Sequence, residues 1–167
     1  MKLLYSDILP AGLDEGQTTI VDCFNEQIAD CDGVDIAVGY VSRAALEELD
    51  ALITEHGIGY VSLVIGMYYI DGIPEGTYRT AVALNEKWRA NGVGEIRMVR
   101  AFKYHGKLYV FHKGGDIKSA IIGSANLGVI KPEANNRRQY EVSSLTTDPS
   151  ECRQILDHIR KMHRNVS

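Results

Sequence analysis

The chain has 167 residues, 45% of them hydrophobic and 24% charged, with a net charge of −4. That length suits one domain whose core needs no metal or disulfide to fold, and the composition excludes fibrous and low-complexity classes. No apolar stretch approaches the roughly 20 residues needed to span a bilayer, and Met1–Asp7 holds too short an apolar run for a signal peptide, so a cytoplasmic protein with no membrane partner is expected.

Hydrophobic periodicity predicts helices and strands in alternation. Gly16 to Asp30 carries Ile20, Val21, Phe24 and Ile28 as a helical stripe, and a helix running on to Cys31 would set Cys23 and Cys31 on one face. With Cys152 they are three cysteines without a CxxC pair, expected as buried thiols in a reducing compartment. Asp35 to Val41 reads as a buried strand. Ser42 can cap a following helix with Leu46, Leu49 and Ile53 on one face and Gly57 past its end. Tyr60 to Ile65 is a further strand, Thr77 to Ala90 a helix stopped by Asn91-Gly92, and Glu95 to Val99 a third strand.

Beyond residue 100 the pattern changes. Lys107 to Phe111 and Ser119 to Ser124 flank the turn signal Lys113-Gly114-Gly115-Asp116 and should form a hairpin. A polar loop over 128–139 leads to a strand at Tyr140 to Leu145, and Pro149 opens an amphipathic helix through Ile155, Ile159 and Met162. The prediction is an α/β domain with a mixed sheet flanked by helices, parallel units first and a hairpin later.

The charge is unevenly placed. Residues 1–96 contain 5 Lys/Arg against 16 Asp/Glu, a balance of −11, whereas 97–138 contain 9 against 2, a balance of +7. A polyanion bound at one locality on an acidic body would suit that distribution.

His105 and Lys107 are two apart where a loop enters a strand, so their side chains project to one side. An antiparallel return brings the far end of the second hairpin strand back beside them, which places Ser124 and Asn126 in the same neighbourhood. These residue types suit phosphoryl chemistry. An imidazole can attack phosphorus and form a covalent intermediate. Lysine, hydroxyl and amide donors can stabilise the charge that develops on the nonbridging oxygens. A second histidine would be the natural proton donor to the leaving alkoxide.

These residues resemble the phospholipase D-like, or HKD, superfamily, whose motif reads H-x-K-x4-D-x6-G-S-x-N. His105, Lys107, Ser124 and Asn126 match it. The aspartate position five after the lysine holds His112, read here as a surface or turn histidine. Asp116 has the right spacing to Gly123 for the motif after a four-residue insertion, but beside Gly114-Gly115 it reads as a hairpin-turn residue. With GYVSRAAL at 39–46, Gly66-Met67 and HGKLYVF at 105–111, the chain looks most like the metal-independent restriction endonucleases of the NgoFVII and BfiI type.

That resemblance implies a phospholipase D-like half-site per chain, completed by a homodimer, acting on the phosphodiester backbone of DNA. It further implies an acidic residue downstream of the asparagine, for which Glu141 is the candidate, holding the histidine's second nitrogen. Among the basic residues, Arg97, Arg100, Lys103, Lys131, Arg137 and Arg138 are candidates for phosphate contacts. Residues 1–167 are expected as one nuclease domain, either whole or as the N-terminal catalytic part of a longer enzyme with a separate DNA-recognition domain or subunit.

No other histidine repeats the pattern. His158-Ile159-Arg160 lies in the predicted last helix, where residues two apart do not share a face. A twofold dimer would supply the missing imidazole. With no HExxH, no CxxC and no tight His/Asp cluster, neither metal nor cofactor is expected. The alternatives are a phospholipase or phosphatidyl transferase of the same superfamily and a non-catalytic nucleic-acid-binding module.

Overall fold

The computed structural model describes residues 1–134 and 139–167. Seven strands form one sheet: β1 (Lys2–Tyr5), β2 (Gly33–Val38), β3 (Tyr60–Ile65), β4 (Gly94–Met98), β5 (Leu108–Lys113), β6 (Asp116–Gly123) and β7 (Val142–Thr146), in the order β1-β7-β6-β5-β2-β3-β4. The strands β2, β3 and β4 run parallel, and β5 turns antiparallel against β2, followed by antiparallel β6, β7 and β1. The expected mixed sheet, parallel first and hairpin later, is the one observed.

Alternation along the strands sends side chains to two cores. Val34, Ile36 and Val38 of β2 face a large cluster with α1 (Ile20–Ala29), α2 (Arg43–His56) and α3 (Glu75–Ala90). Ala37, Val64, Leu108, Val110 and Ala120 face α4 (Pro149–Asn165), which contributes Cys152, Leu156, Ile159 and Met162. Caps set the helix starts: the Thr19 hydroxyl accepts from Asp22 N at 3.0 Å, Ser42 from Ala45 N at 3.1 Å and Asp148 from Glu151 N at 2.9 Å. Gly57 closes α2 in the left-handed conformation at φ 63°.

Several expectations are corrected. The first helix starts at the Thr19 cap rather than at Gly16 and ends at Ala29. Cys31 therefore lies beyond it and shares no helical face with Cys23, although all three cysteines are buried and unpaired. The edge strand β1 was not anticipated. It pairs with β7, Lys2 opposite Leu145, and is held by a partner far away in sequence. The strand expected over Asp35 to Val41 stops at Val38, because Gly39 N and Tyr40 N bond to a side chain instead of a neighbouring strand.

His112 is also no surface residue. Its Nε2 lies 2.7 Å from Oδ2 of Asp35, a carboxylate only 1% exposed, whose Oδ1 accepts from the Tyr60 hydroxyl at 2.9 Å. A register shift between Phe111 and His112 accompanies that position. Asp116 opens β6 opposite Lys113, exposed at the hairpin tip, where Gly114 and Gly115 both take positive φ. Arg137 and Arg138 lie outside the described residues.

Candidate active site

The β5–β6 register sets Leu108 opposite Ile122, and Gly123 N donates to Lys107 O at 3.3 Å. On the other side of β6, Gly123 faces Ser143, and Ser124 N donates to Val142 O at 3.0 Å. The start of β5, the end of β6 and the start of β7 therefore converge at one edge, together with the end of β2. This pairing brings Lys107, Ser124 and Glu141 together from across 35 residues of sequence.

Asn126 ties this cluster to β2. Its Oδ1 accepts from Gly39 N at 3.1 Å and from Tyr40 N at 3.0 Å. With the amide oxygen so held, Nδ2 is the group that can donate to a phosphate oxygen. The His105 ring flanks the same glycine: a Cβ at Gly39 would lie 3.2 Å from His105 Cδ2, 3.4 Å from Asn126 Oδ1 and 3.0 Å from Met67 Cγ. A larger residue there would fit only if these side chains gave way by a few tenths of an ångström. The backbone between Ser124 and Asn126 is fixed by Tyr109, whose buried hydroxyl donates to Ala125 O at 2.8 Å.

His105 is exposed and faces the Tyr40 ring edge to face, with centroids 6.3 Å apart. Lys107 is 6% exposed, and its ammonium donates to the His105 carbonyl at 2.7 Å. Burial pushes the Lys107 pKa below the usual lysine value, opposed by the negative charge of Glu141. An ammonium has three N–H donors, so two remain for a ligand. Glu141 accepts a hydrogen bond from the Ser124 hydroxyl, whose oxygen in turn accepts from Val142 N at 3.1 Å. Ser6 clamps the Glu141 backbone: Glu141 N donates to Ser6 Oγ at 2.9 Å and Ser6 N donates to Glu141 O at 3.1 Å. Within one chain, among the described residues, the Glu141 carboxylate bonds to Ser124 and not to His105.

Three supporting residues escaped the sequence reading. Tyr40 packs its ring against both His105 and Tyr68. Tyr104 sits so close over Gly106 that any Cβ there would collide with its hydroxyl. Its ring stacks on His158 at 5.8 Å, with His158 Nε2 3.2 Å from its hydroxyl. The sequence signals were Gly39-Tyr40 at a strand end and Tyr104 directly before the His-x-Lys pair. His158, set aside as a half-site, braces Tyr104 from α4.

Among the described residues, the basic side chains do not all gather at this end of the sheet. Lys113 and Lys118 both pair with Asp30 near the hairpin tip. That tip is roughly 20 Å from Lys107 at about 3.3 Å per residue of strand. Arg97 is engaged by Glu95 at 3.0 Å and by the His163 carbonyl at 3.2 Å on β4, two strands from β2. Lys103 pairs with Asp71 at 2.7 Å, and Lys131 with Glu133 at 2.9 Å and Glu48 at 3.3 Å. Lys131 lines a small cavity of about 210 Å³ together with Tyr40 and Asn126. Arg100 is exposed just past β4. Among the described residues, no three His, Cys, Asp or Glu side chains converge as a metal site would require. No helix of the described residues is long and apolar enough to cross a membrane.

This geometry can be compared with known proteins. The model of the NgoFVII restriction endonuclease N-terminal PLD domain matches residues 18–167. The chain belongs to that family. Its fold is also that of solved phospholipase D family structures. Nuc from Salmonella typhimurium, a phospholipase D family member, superposes with a TM-score of 0.67 at 14% identity, covering 99% of this chain and 95% of Nuc. NucT from Helicobacter pylori gives 0.61 at 15% identity, with 87% of each chain covered. The phosphatidylserine synthase of Haemophilus influenzae gives 0.61 at 16% identity, covering 98% of this chain but 38% of the synthase. At such identities the likeness shows the fold alone. No curated protein sequence matches the chain. The family model places the chain in the phospholipase D-like superfamily on a restriction endonuclease domain, and the expected superfamily is thereby borne out.

Proposed function

We propose that this chain is a metal-independent phosphodiesterase that cleaves DNA through a phosphohistidine intermediate, at a site shared by two copies. The observation that carries the reading is that the His105 ring and the Asn126 amide flank the same glycine, Gly39, while the ammonium of the buried Lys107 bonds to the His105 carbonyl. A phosphate at this edge would meet a nucleophile on one side and two fixed donors on the other.

In the first step the His105 nitrogen bonds to phosphorus while the bond to the leaving oxygen breaks. The alkoxide takes a proton from the partner's His105. That imidazole, now neutral, accepts a proton from water as the water oxygen displaces His105 from phosphorus, restoring both histidines. Lys107 and the Asn126 Nδ2 stabilise the nonbridging oxygens in both steps, the work a divalent cation performs in other nucleases. Ser124 serves by holding Glu141, and the Glu141 carboxylate keeps negative charge beside the cationic groups. Lys103 and Lys131 hold exposed ion pairs, worth little in water, which a DNA phosphate can displace.

The deciding experiment is incubation with a labelled phosphodiester in excess EDTA, followed by acid-avoiding mass analysis. A phosphoryl adduct on His105 is expected, absent in His105→Ala. Loss of all cleavage in chelator, or an adduct on another residue, would overturn the mechanism. Dilution should lower specific activity as the dimer dissociates; a fully active monomer by sedimentation would contradict the shared site.

A further inference from the structure

The phosphodiesterase site continues into a cavity of about 410 Å³ that the proposed chemistry does not use. Asn126, Glu141 and Tyr40 are among its lining residues, so it adjoins the place assigned to the phosphate. We propose that this cavity binds one unstacked nucleobase of the strand being cleaved, next to the scissile phosphate. The inference rests on the nuclease reading above and names what that site selects.

The size lies within the range of about 300–1,000 Å³ occupied by small-molecule sites. Its aliphatic wall comes from Ile8, Val21 and Val129, and its polar groups from Asp7, Thr19 and Gln139. A nucleobase matches that mixture: its faces are apolar and polarizable, and its edge carries donors and acceptors. An acyl chain would leave Asp7 and Gln139 unanswered, and a bare polyol would waste the aliphatic wall. Tyr40, in its lining, is prepared to stack. Its ring stands perpendicular to Tyr68 at 5.5 Å, and the Tyr68 hydroxyl donates to Val41 O at 2.8 Å, so the platform is braced before any ligand arrives. Ile8 and Asp7 belong to a stretch ahead of residue 18, where the family model begins to match, so this part of the wall is supplied by the chain's own N-terminal segment.

A base in this cavity cannot remain paired and stacked in a duplex. The site therefore favours single strands or duplexes that open locally, with an unstacked base as the selected element.

The test compares a single-stranded oligonucleotide with the same oligonucleotide carrying an abasic site on either side of the scissile phosphate. Stacking of one base on an aromatic platform commonly contributes about tenfold or more, so the wild-type protein should lose about tenfold in kcat/KM on one abasic position. In Val21→Trp, which fills the cavity from α1, the intact and abasic substrates should be cleaved equally. Ile8→Trp, which fills the cavity from the N-terminal segment, gives the same reading should the first variant fail to fold. Equal wild-type rates on all three oligonucleotides would overturn the pocket. So would a tenfold preference that survives in both folded tryptophan variants. Bis(p-nitrophenyl) phosphate separates the two levels: wild-type turnover of this base-free diester without cleavage of any oligonucleotide overturns the base pocket but not the phosphodiesterase. Turnover of neither overturns both.

Discussion

Asn126 reaches back 87 positions to Gly39: its side-chain oxygen accepts the Gly39 amide N–H at 3.1 Å, and the next N–H at Tyr40 at 3.0 Å. One side chain thus ends β2, fixes the glycine against which His105 rests, and orients its own amide nitrogen. The structural duty and the proposed catalytic one fall on different atoms of one group, and substitution can separate them.

Asn126→Asp keeps an acceptor for both backbone N–H groups and removes the donor. Loss of one such donor to a developing oxyanion costs roughly 10²–10³ in kcat. That loss is expected with melting temperature nearly unchanged. Asn126→Ala should lose the same activity and also stability, by about 1–3 kcal/mol, because the buried Gly39 N–H is left without a partner. Steady-state kinetics and thermal melts on the two variants check this. Equal melting temperatures for both would show that the tie to Gly39 does not hold β2.

Lys107 predicts an alkaline limb. Burial disfavours its ammonium, so its pKa lies below the usual 10.5. As pH rises through that lowered value the cation is lost and activity falls, earlier than an ordinary lysine would allow. The effect on stability has the opposite sense. Between the folded and unfolded pKa the unfolded chain binds more protons, so stability rises with pH in that interval. Lys107→Arg, which stays charged, should be slower at neutral pH but lack the limb. A pH profile of kcat/KM for both proteins is the measurement, and an unchanged limb in the arginine variant would assign it elsewhere.

His112 supports the fold rather than the chemistry. Removing it leaves the Asp35 carboxylate, 1% exposed, with the Tyr60 hydroxyl as its remaining hydrogen-bond partner. Breaking a buried pair this way commonly costs roughly 3–5 kcal/mol. For a chain of this size that corresponds to a melting point lowered by about 6–20 °C. His112→Ala should show that loss, and Asp35→Leu combined with His112→Leu should regain most of it. Activity per folded molecule should stay as in the wild type, since Asp35 is about 13 Å along β2 from Gly39 at strand spacing. A catalytic defect in folded His112→Ala would place this histidine in the mechanism.

Much of this architecture is written in local signals. Ser42 and Gly57 bracket α2 with a hydroxyl acceptor and a residue that tolerates positive φ, and both act through their immediate neighbours. The paired glycines at 114–115 dictate a tight turn, and that turn forces the two ends of β5 and β6 together. From the turn alone the meeting of Lys107 with Ser124 follows; His105 and Asn126 join them by their spacing and residue chemistry, whereas Glu141 was a candidate only through the family resemblance.

Other features depend on partners that no local pattern names. The four residues of β1 are too few to show a period, and their pairing with β7 exists only because the folded sheet leaves that edge open. The role of His112 is set by Asp35, 77 positions away, which removes a histidine from the surface and a charge from water. The run of positive charge from 97 to 138 was visible as composition, yet the scatter of its described members over β4, the β5–β6 hairpin and the loops, with the acidic neighbours Asp30, Asp71 and Glu48, was decided in three dimensions. Sequence alone determined which groups could perform phosphoryl transfer and that one chain holds a single His-x-Lys pair. Only the tertiary structure decided which atoms of those groups are already engaged, because hydrogen bonds and ion pairs are assigned by distance in space and not by separation along the chain.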